Sequence, residues 1–405
     1  MRRLDEWLAA AARVAVACAF AVAVFAGAGR AQAYPWMIRH AYTGCAVCHA
    51  DPSGGGVLTG YGRAQGDLLL RTRYGKASEG EAYKPAKTAG FLFGAVDPPK
   101  WLLLGGSVRT LALRNIVKGA PATNRVILME SDVRAFLEAG FVRAGASLGY
   151  LHEGGRAAQI TSRPEDNLVG RHYWIGAAFD HDKWLVRAGR IALPFGIRNI
   201  EHTMWIRSSP RTDLNDAQQH GASIAYNGEK LRGELMGIAG NFQVRPDDYR
   251  ERGWVGFLEF ALGARWAAGV STLGTWAKRD RFLLVETHRQ AHGVMVRGAP
   301  IEKLVLLAEG ILLLRRAGEG DLDKGWTSML QADFEPIQGV HLLATGEALH
   351  EARAQARTSL GGWLSAWWFF LPHVDARADV IVRNLPTPVG DIRVTSLLFQ
   401  LHAFL

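Results

Sequence analysis

The sequence contains little cysteine and, after residue 33, no long apolar run. Only three of its 405 residues are cysteines, and Cys18 lies in a segment that we expect to be removed, so no disulfide framework is possible. No later segment has the roughly 20 uninterrupted apolar residues that a membrane-spanning helix requires. Lysine plus arginine (47) exceeds aspartate plus glutamate (38), but the basic residues are scattered, which argues against nucleic acid as a partner.

The amino terminus has the composition of a secretory signal. Arg2 and Arg3 precede an apolar run over residues 14–28, and residues 31–33, Ala-Gln-Ala, form the small-residue pattern after which signal peptidase cuts. A membrane anchor is the weaker alternative because the cleavage pattern stands at the end of the run. We therefore predict that residues 1–33 are a cleaved signal peptide and that the protein is exported.

Two cysteines three positions apart, followed directly by a histidine, form the attachment pattern of c-type haem. In this chain they are Cys45, Cys48 and His49. Each thiol adds to one vinyl group of the same porphyrin, and the short turn that this requires places the next side chain under the iron as its proximal ligand. The motif predicts one haem c per chain, bound covalently through Cys45 and Cys48, with His49 as the axial ligand of the iron.

Other chemistries of a cysteine pair are less compatible with the sequence. A structural zinc site needs four ligands, whereas the mature chain has only these two cysteines. A thioredoxin-like dithiol would lie in a βαβ pattern, and residues 34–75 show none. A plain disulfide in an exported protein remains open as an alternative.

Residues 34–75, the predicted haem segment, are too few to cover a haem alone. Domains of about 40 residues seldom bury enough surface to be stable without a staple or a partner, so the rest of the chain must supply apolar walls. Either His40 or Met37 could be the second axial ligand, although His40 could equally be a hydrogen-bonding or surface residue. Residues 76–100 are polar and rich in glycine and proline, and we interpret them as a linker.

The remaining residues, 101–405, have the pattern of a barrel. Segments of about ten residues with alternating polarity recur between turn-like stretches. Charged side chains share one phase of residues 130–139 and apolar side chains the other, and residues 375–383 repeat this. A sandwich core is one interpretation of the apolar face. The other is an outer-membrane barrel, in which that face contacts lipid and the charged face lines the lumen.

The barrel interpretation is favoured by aromatic clusters and by the last strand. Residues 367–370 are all aromatic, as in the girdle of residues at a membrane interface. Apolar residues then alternate from Leu397 to the terminal Leu405. We predict an all-β fold, an outer-membrane β-barrel of about 16 antiparallel strands, with the haem-binding segment packed in its lumen.

Together the two parts resemble the fused monohaem cytochrome–porins of the outer membrane, whose best-known members are iron oxidases. The stretches that carry this resemblance are residues 33–35 (Ala-Tyr-Pro), residues 43–49 with the cysteine motif, Pro52, and residues 58–63 (Leu-Thr-Gly-Tyr-Gly-Arg). In the barrel part, residues 189–199 resemble a segment of phosphate-selective-type porins. Residues 38–42, Ile-Arg-His-Ala-Tyr, depart from the Phe-Ala-Arg-Gln run that is usual in the family.

The resemblance implies electron transfer across the outer membrane. An extracellular donor, for example Fe(II), would reduce the haem, and a periplasmic electron-carrier cytochrome would accept the electron, so the chain could be an Fe(II) oxidase. Outer-sphere transfer needs no catalytic acid or base, and we predict none. The departure at residues 38–42 bears on the choice of donor because the surroundings of a haem set its potential.

Two other functions are compatible with the sequence. One is a diffusion porin for anions or small solutes, with a haem-bearing plug or sensor segment and with lumen charges at Arg134, Arg143, Arg377 and Arg383. The other is an outer-membrane scaffold for a separate multihaem cytochrome. All three interpretations place the chain in the bacterial outer membrane, in contact with its lipid.

Overall fold

In a computed structural model of the protein, the structure describes residues 35–46, 48–52, 54–74, 88, 90–151, 167–199, 201–214, 217–353, 355–387 and 390–405. The predicted signal peptide lies outside these residues, as does about half of the predicted linker. The strand segments are β1 Leu102–Val117, β2 Thr123–Ala139, β3 Val142–Leu151, β4 Asn167–Val169, β5 Tyr173–Phe179, β6 Trp184–Ile191, β7 Gln219–Asn227, β8 Leu231–Gly240, β9 Arg252–Gly263, β10 Trp266–Ala277, β11 Thr287–Ile301, β12 Leu304–Ala317, β13 Asp323–Ile337, β14 Val340–His350, β15 Ser359–Leu371, β16 Val374–Thr387 and β17 Gly390–Phe404.

These segments form one antiparallel sheet that closes on itself. Each strand pairs with its neighbours in the sequence, and β1 also pairs with β17 over residues 107–117. Because the short β4 and the following β5 both pair with β3, they are two parts of a single barrel strand. The described residues therefore build a closed barrel of 16 strands, which confirms the barrel part of the predicted fold class.

Helical segments are short and lie between the strands or before them. They are 3-10 turns at Pro35–His40, Phe91–Gly94 and Asp247–Tyr249, α-helices at Gly60–Gln65 and Trp205–Ser208, and a π-helical turn at Gly66–Leu70. Among the residues that the structure describes, no helix has the length and apolar character needed to span a membrane.

Side chains along the strands alternate between the two faces of the barrel wall. On β2 the charged Glu130 and Asp132 are buried, whereas Val133 is 65% exposed. On the last strand the outward residues are apolar, among them Phe399 and Leu401. The predicted alternation is thus confirmed, with the apolar face turned to the lipid and the charged face to the lumen.

The two ends of the barrel differ in the length of their connections. One end has only two- to four-residue turns between described strands, at residues 140–141, 180–183, 228–230, 264–265, 302–303, 338–339 and 372–373. In outer-membrane barrels the short turns face the periplasm and the longer loops face outward. By this rule the short-turn end is periplasmic, and the C-terminal Leu405, whose N–H bonds to the carbonyl of Gly106 at 2.8 Å, lies there.

After β6 the chain turns into the lumen instead of forming an external loop. Phe195 and Ile206 of this inward segment are fully buried. Gly196 has a φ of +63°, and a Cβ atom there would lie 2.0 Å from Oε1 of Glu309, so only glycine allows the turn. Arg207 forms a buried ion pair with the same Glu309, which ties the segment to β12.

Candidate functional site

The described residues between 35 and 74, which we call the plug, pack against the inner face of the barrel. Trp36 is buried, and its ring centroid lies 4.3 Å from that of His341 and 6.0 Å from those of Trp367 and Phe369. At the other end of the plug, the N–H of Thr72 donates to the carbonyl of Phe369 at 2.8 Å. These contacts lie near the turns at residues 338–339 and 372–373, so the plug fills the periplasmic end of the lumen.

Buried ion pairs join the plug to the wall on several sides. Arg39 pairs with Asp333 and, at 2.6 Å, with Glu335, both on β13. On β6, Arg187 holds Asp51 of the plug at 2.9 Å. Paired charges of this kind are costly to separate when they are buried, and here they set the position of the plug in the lumen.

The cysteine motif folds as one tight turn. The N–H groups of Cys48 and His49 both donate to the carbonyl of Cys45, at 3.2 and 3.0 Å. Two glycines allow the chain to pass close by: a Cβ atom on Gly62 would lie 2.2 Å from the carbonyl oxygen of Cys48, and one on Gly54 would lie 2.8 Å from Sγ of Cys45. Gly54 and Gly62 therefore allow the chain to pack closely around the motif.

All three motif residues line one cavity between the plug and the wall. Cys45, Cys48 and His49 face it together, and the space among its lining atoms amounts to about 1680 Å³ when its open mouth is included. Both thiols are buried, and the two cysteines are not joined by a disulfide. Nη1 of Arg232 on β8 lies 3.3 Å from Sγ of Cys45, so the wall contacts the motif directly.

Burial favours the neutral forms of His49 and Cys48. It lowers the pKa of His49 to about 4 and raises the pKa of Cys48 to about 12. A neutral imidazole is the form that ligates a metal. Nδ1 of His49 is buried and, among the described residues, has no hydrogen-bond partner of normal geometry, although the ring lies beside the backbone of Gly55.

These observations test whether the residues present fit a covalently bound haem. Two free thiols, a neutral imidazole and apolar side chains such as Leu70 meet at one cavity, which is the donor set that c-type attachment requires. The residues fit the group. No cluster of three or more His, Cys, Asp or Glu side chains that could hold a lone metal ion occurs in the described part of the chain.

The two residues suggested for the second axial position are not equivalent. Met37 is buried and lines the cavity. His40 is not among the lining residues; it lies near Glu335 and Glu302 at the barrel end, where burial lowers its pKa. A further sulfur, that of Met295 on β11, lines the cavity from the wall. Sequence reasoning missed Met295, although it shares a strand phase with Arg297, whose charge indicates the lumen face.

Of the four arginines proposed as lumen charges, three engage groups deep inside the barrel. Arg134 lines the cavity, and Arg377 and Arg383 form ion pairs inside the barrel. Arg143, however, pairs with Asp182 of the neighbouring short turn at 2.8 Å, because it is the second residue of β3 and stands at the barrel rim. Arg143 shares the phase of the buried Ser147 on β3, so it lies on the inner face but at the rim of the lumen.

Solved structures with a similar fold are outer-membrane porins. An outer membrane protein of Vibrio cholerae, OmpT in its trimer form, has a TM-score of 0.58 at 8% identity, covering 75% of this chain and 99% of that one. The anion-selective porin from Comamonas acidovorans has a TM-score of 0.56 at 12% identity, with coverage of 75% and 99%. The outer membrane channel DcaP of Acinetobacter baumannii has a TM-score of 0.55 at 10% identity, with coverage of 75% and 97%.

At such low identity these comparisons establish the fold alone. The chain has the fold of the porin-like barrels of the outer membrane, as the sequence predicts. No model of a protein family matches the chain, and no curated protein matches it.

Proposed function

We propose that this barrel is an electron-transfer protein of the outer membrane in which Cys45 and Cys48 bind one haem c and His49 ligates its iron. The observation that carries the proposal is the meeting of two free thiols and a buried, neutral imidazole at one cavity inside the barrel. When bound, the haem supplies a one-electron carrier. The wall shields that carrier from the lipid, and the ion pairs of the plug hold it in place.

The position of the motif along the barrel bears on the direction of transfer. Arg232, which contacts Cys45, is the second residue of β8 after a short turn, and Arg297, which donates to the carbonyl of Thr43, is five residues from the turn at 302–303. At about 3.3 Å per strand residue, both lie within about 17 Å of the periplasmic end. A periplasmic cytochrome can therefore approach the site closely, whereas an extracellular donor such as Fe(II) has to come through the lumen.

A second candidate is a diffusion porin for anions or small solutes, with the plug as a regulatory segment. The comparisons support this function better than electron transfer, because the similar structures include a porin described as anion-selective and an outer membrane channel. The cavity is also rich in arginine. Against an open pathway, inward charges such as Arg39, Arg187 and Asp333 are 0–1% exposed and are engaged by the plug or the wall.

One preparation of purified protein distinguishes the two candidates. For electron transfer we expect one haem per chain in a pyridine haemochrome assay, and anaerobic Fe(II) should shift its absorption bands to those of the reduced form. Ion conductance in a planar bilayer should be small, because the plug occupies the lumen. A haem-free protein that conducts ions would contradict the proposal and support the porin. Bound haem that Fe(II) leaves oxidised would contradict Fe(II) as donor while leaving the cofactor assignment intact.

The second axial ligand follows from the same proposal. We expect Met37→Leu to remove the absorption band of sulfur-ligated ferric haem and to lower the midpoint potential, because a methionine ligand raises it. His40→Ala should leave both unchanged, since His40 does not line the cavity. If Met295→Leu has the effect instead, the ligand comes from the wall. A spectrum altered only by His40→Ala would contradict the assignment to a methionine.

A further inference from the structure

Six arginines line the cavity beside the cysteine motif, and one of them differs from the rest. Five lie within ion-pair distance of a carboxylate: Arg109 and Arg134 of Glu130, Arg171 of Asp132, and Arg232 and Arg297 of Glu259. The sixth, Arg198, forms no ion pair among the described residues. Both of its terminal nitrogens, Nη1 and Nη2, are buried and lack a hydrogen-bond partner there.

The neighbouring carboxylates do not compensate this charge. Asp51 and Glu234 are the acidic groups with the largest influence on Arg198, and both are ion-paired with Arg187, at 2.9 and 2.8 Å. Arg207, a second cation, is also close. A buried guanidinium without a partner is electrostatically unfavourable, and an anion in the cavity would compensate its charge.

The residues on either side of Arg198 are anchored to the barrel wall. The N–H of Ile197 donates to Oε2 of Glu309 at 3.1 Å, and the side-chain amide of Asn199 donates to Sδ of Met329 at 3.1 Å. Arg198 and Cys45 line the same cavity, so the guanidinium shares that cavity with the thioether position that the proposed function assigns. The side chain of Arg198 is thus presented to the cavity by a fixed segment.

We propose that Arg198 binds an oxyanion in this cavity and that the oxyanion is a propionate carboxylate of the haem. A guanidinium presents two parallel N–H groups, which match the two oxygens of a carboxylate. The inference rests on the proposed function, because the propionate arrives with the haem. A free anion such as phosphate has the same chemistry, and it is the outcome that the experiment has to separate.

The first test measures the midpoint potential of the haem-loaded protein by optical redox titration. Arg198→Gln retains the thioethers but removes a positive charge beside the haem. Loss of that charge favours the ferric state, which carries one more positive charge than the ferrous state. We expect the reduction equilibrium to shift about tenfold toward ferric, equivalent to a fall of about 59 mV for one electron. Arg281→Gln, a change in an exposed loop, is the matched control and should leave the potential at the wild-type value.

The second test compares the thermal stability of the barrel with and without haem. Unfolding is monitored by the change in gel mobility of the folded barrel. In haem-loaded protein Arg198→Gln should lower the transition temperature, because the propionate loses its counter-ion. In the haem-free Cys45→Ala, Cys48→Ala background the same change should raise it, because it removes an unpaired buried charge. A merely structural arginine would give the same sign in both backgrounds and would overturn the inference.

The outcomes separate the inference from the function on which it rests. If the wild-type protein carries no haem, both the proposed function and the role of Arg198 are overturned. Haem with the same potential in Arg198→Gln and Arg281→Gln overturns the inference alone. Inorganic phosphate that stabilises haem-loaded wild type, but not haem-loaded Arg198→Gln, assigns Arg198 to a free anion instead. Should Arg198→Gln fail to assemble, Arg198→Leu replaces it, because leucine also removes the charge; a potential there equal to that of Arg281→Gln counts against the proposal.

Discussion

Replacing both Cys45 and Cys48 with alanine should abolish covalent haem while the barrel still assembles. The thiols are the only described groups in the cavity that can form thioethers, so the expected loss is complete. The wall is closed by the strand pairing of β1 with β17 and contains neither cysteine, which is why we expect it to fold. The measurement is in-gel haem staining after denaturation, together with the heat-dependent mobility shift of a folded barrel.

The single cysteine variants and a substitution that leaves the haem-binding groups intact provide the controls. Either Cys45→Ala or Cys48→Ala alone leaves one thioether, so the pyridine haemochrome band should move but remain. Ala46→Ser changes the same turn and leaves both thiols and His49 in place, so full haem loading is expected. Covalent haem in the double variant would show that the cofactor is attached elsewhere and would remove the basis of the proposed function.

Replacing Arg39 with alanine should release the plug from the barrel. The change leaves Asp333 and Glu335 buried next to each other without their shared cation. Loss of one partner of a buried ion pair destabilises by about 3–5 kcal/mol. We expect the lower end, because His341 lies 3.1 Å from Asp333 and the N–H of Gly339 still donates to Glu335 at 3.0 Å.

Release of the plug can be measured as a gain of conductance and of protease sensitivity. In planar bilayers the Arg39→Ala barrel should pass ions that the wild type blocks, and trypsin should remove the amino-terminal segment. Neutralising the acids as well, with Asp333→Asn and Glu335→Gln, should restore much of the block because no unpaired charge remains buried. Arg353→Ala, which breaks an exposed pair with Glu351, should have little effect. Equal conductance in Arg39→Ala and wild type would show that other contacts hold the plug.

The barrel could be predicted from the sequence because its pattern is local. Charged Glu130 and Asp132 alternate with apolar Val133 along one strand, and in a pleated strand adjacent side chains face opposite sides. Strand number, lipid face and lumen face follow from this periodicity without knowledge of which strand pairs with which. The division of one barrel strand into β4 and β5 could not be predicted, since it depends on the register of both with β3.

The candidate site is only partly a local feature. The spacing of Cys45, Cys48 and His49 predicts the proposed attachment chemistry, because both thiols have to reach one porphyrin. Their surroundings come from strands far apart in the sequence: Arg232 on β8 and Met295 on β11 reach the motif only because the barrel closes. The pairing of Arg143 with Asp182 of a neighbouring short turn likewise depends on the closed barrel.

The sequence by itself thus determined the barrel class, the two faces of its wall and the cysteine motif, since each depends on the order of side chains along one short stretch. Tertiary structure alone decided that the plug meets the wall near the periplasmic end and that Met37 and not His40 lines the cavity. It also decided that the terminal nitrogens of Arg198 are buried there without a hydrogen-bond partner among the described residues. The physical reason is that burial and charge compensation depend on contacts between distant segments, as in the pair of Arg39 with Asp333, and no local pattern records them.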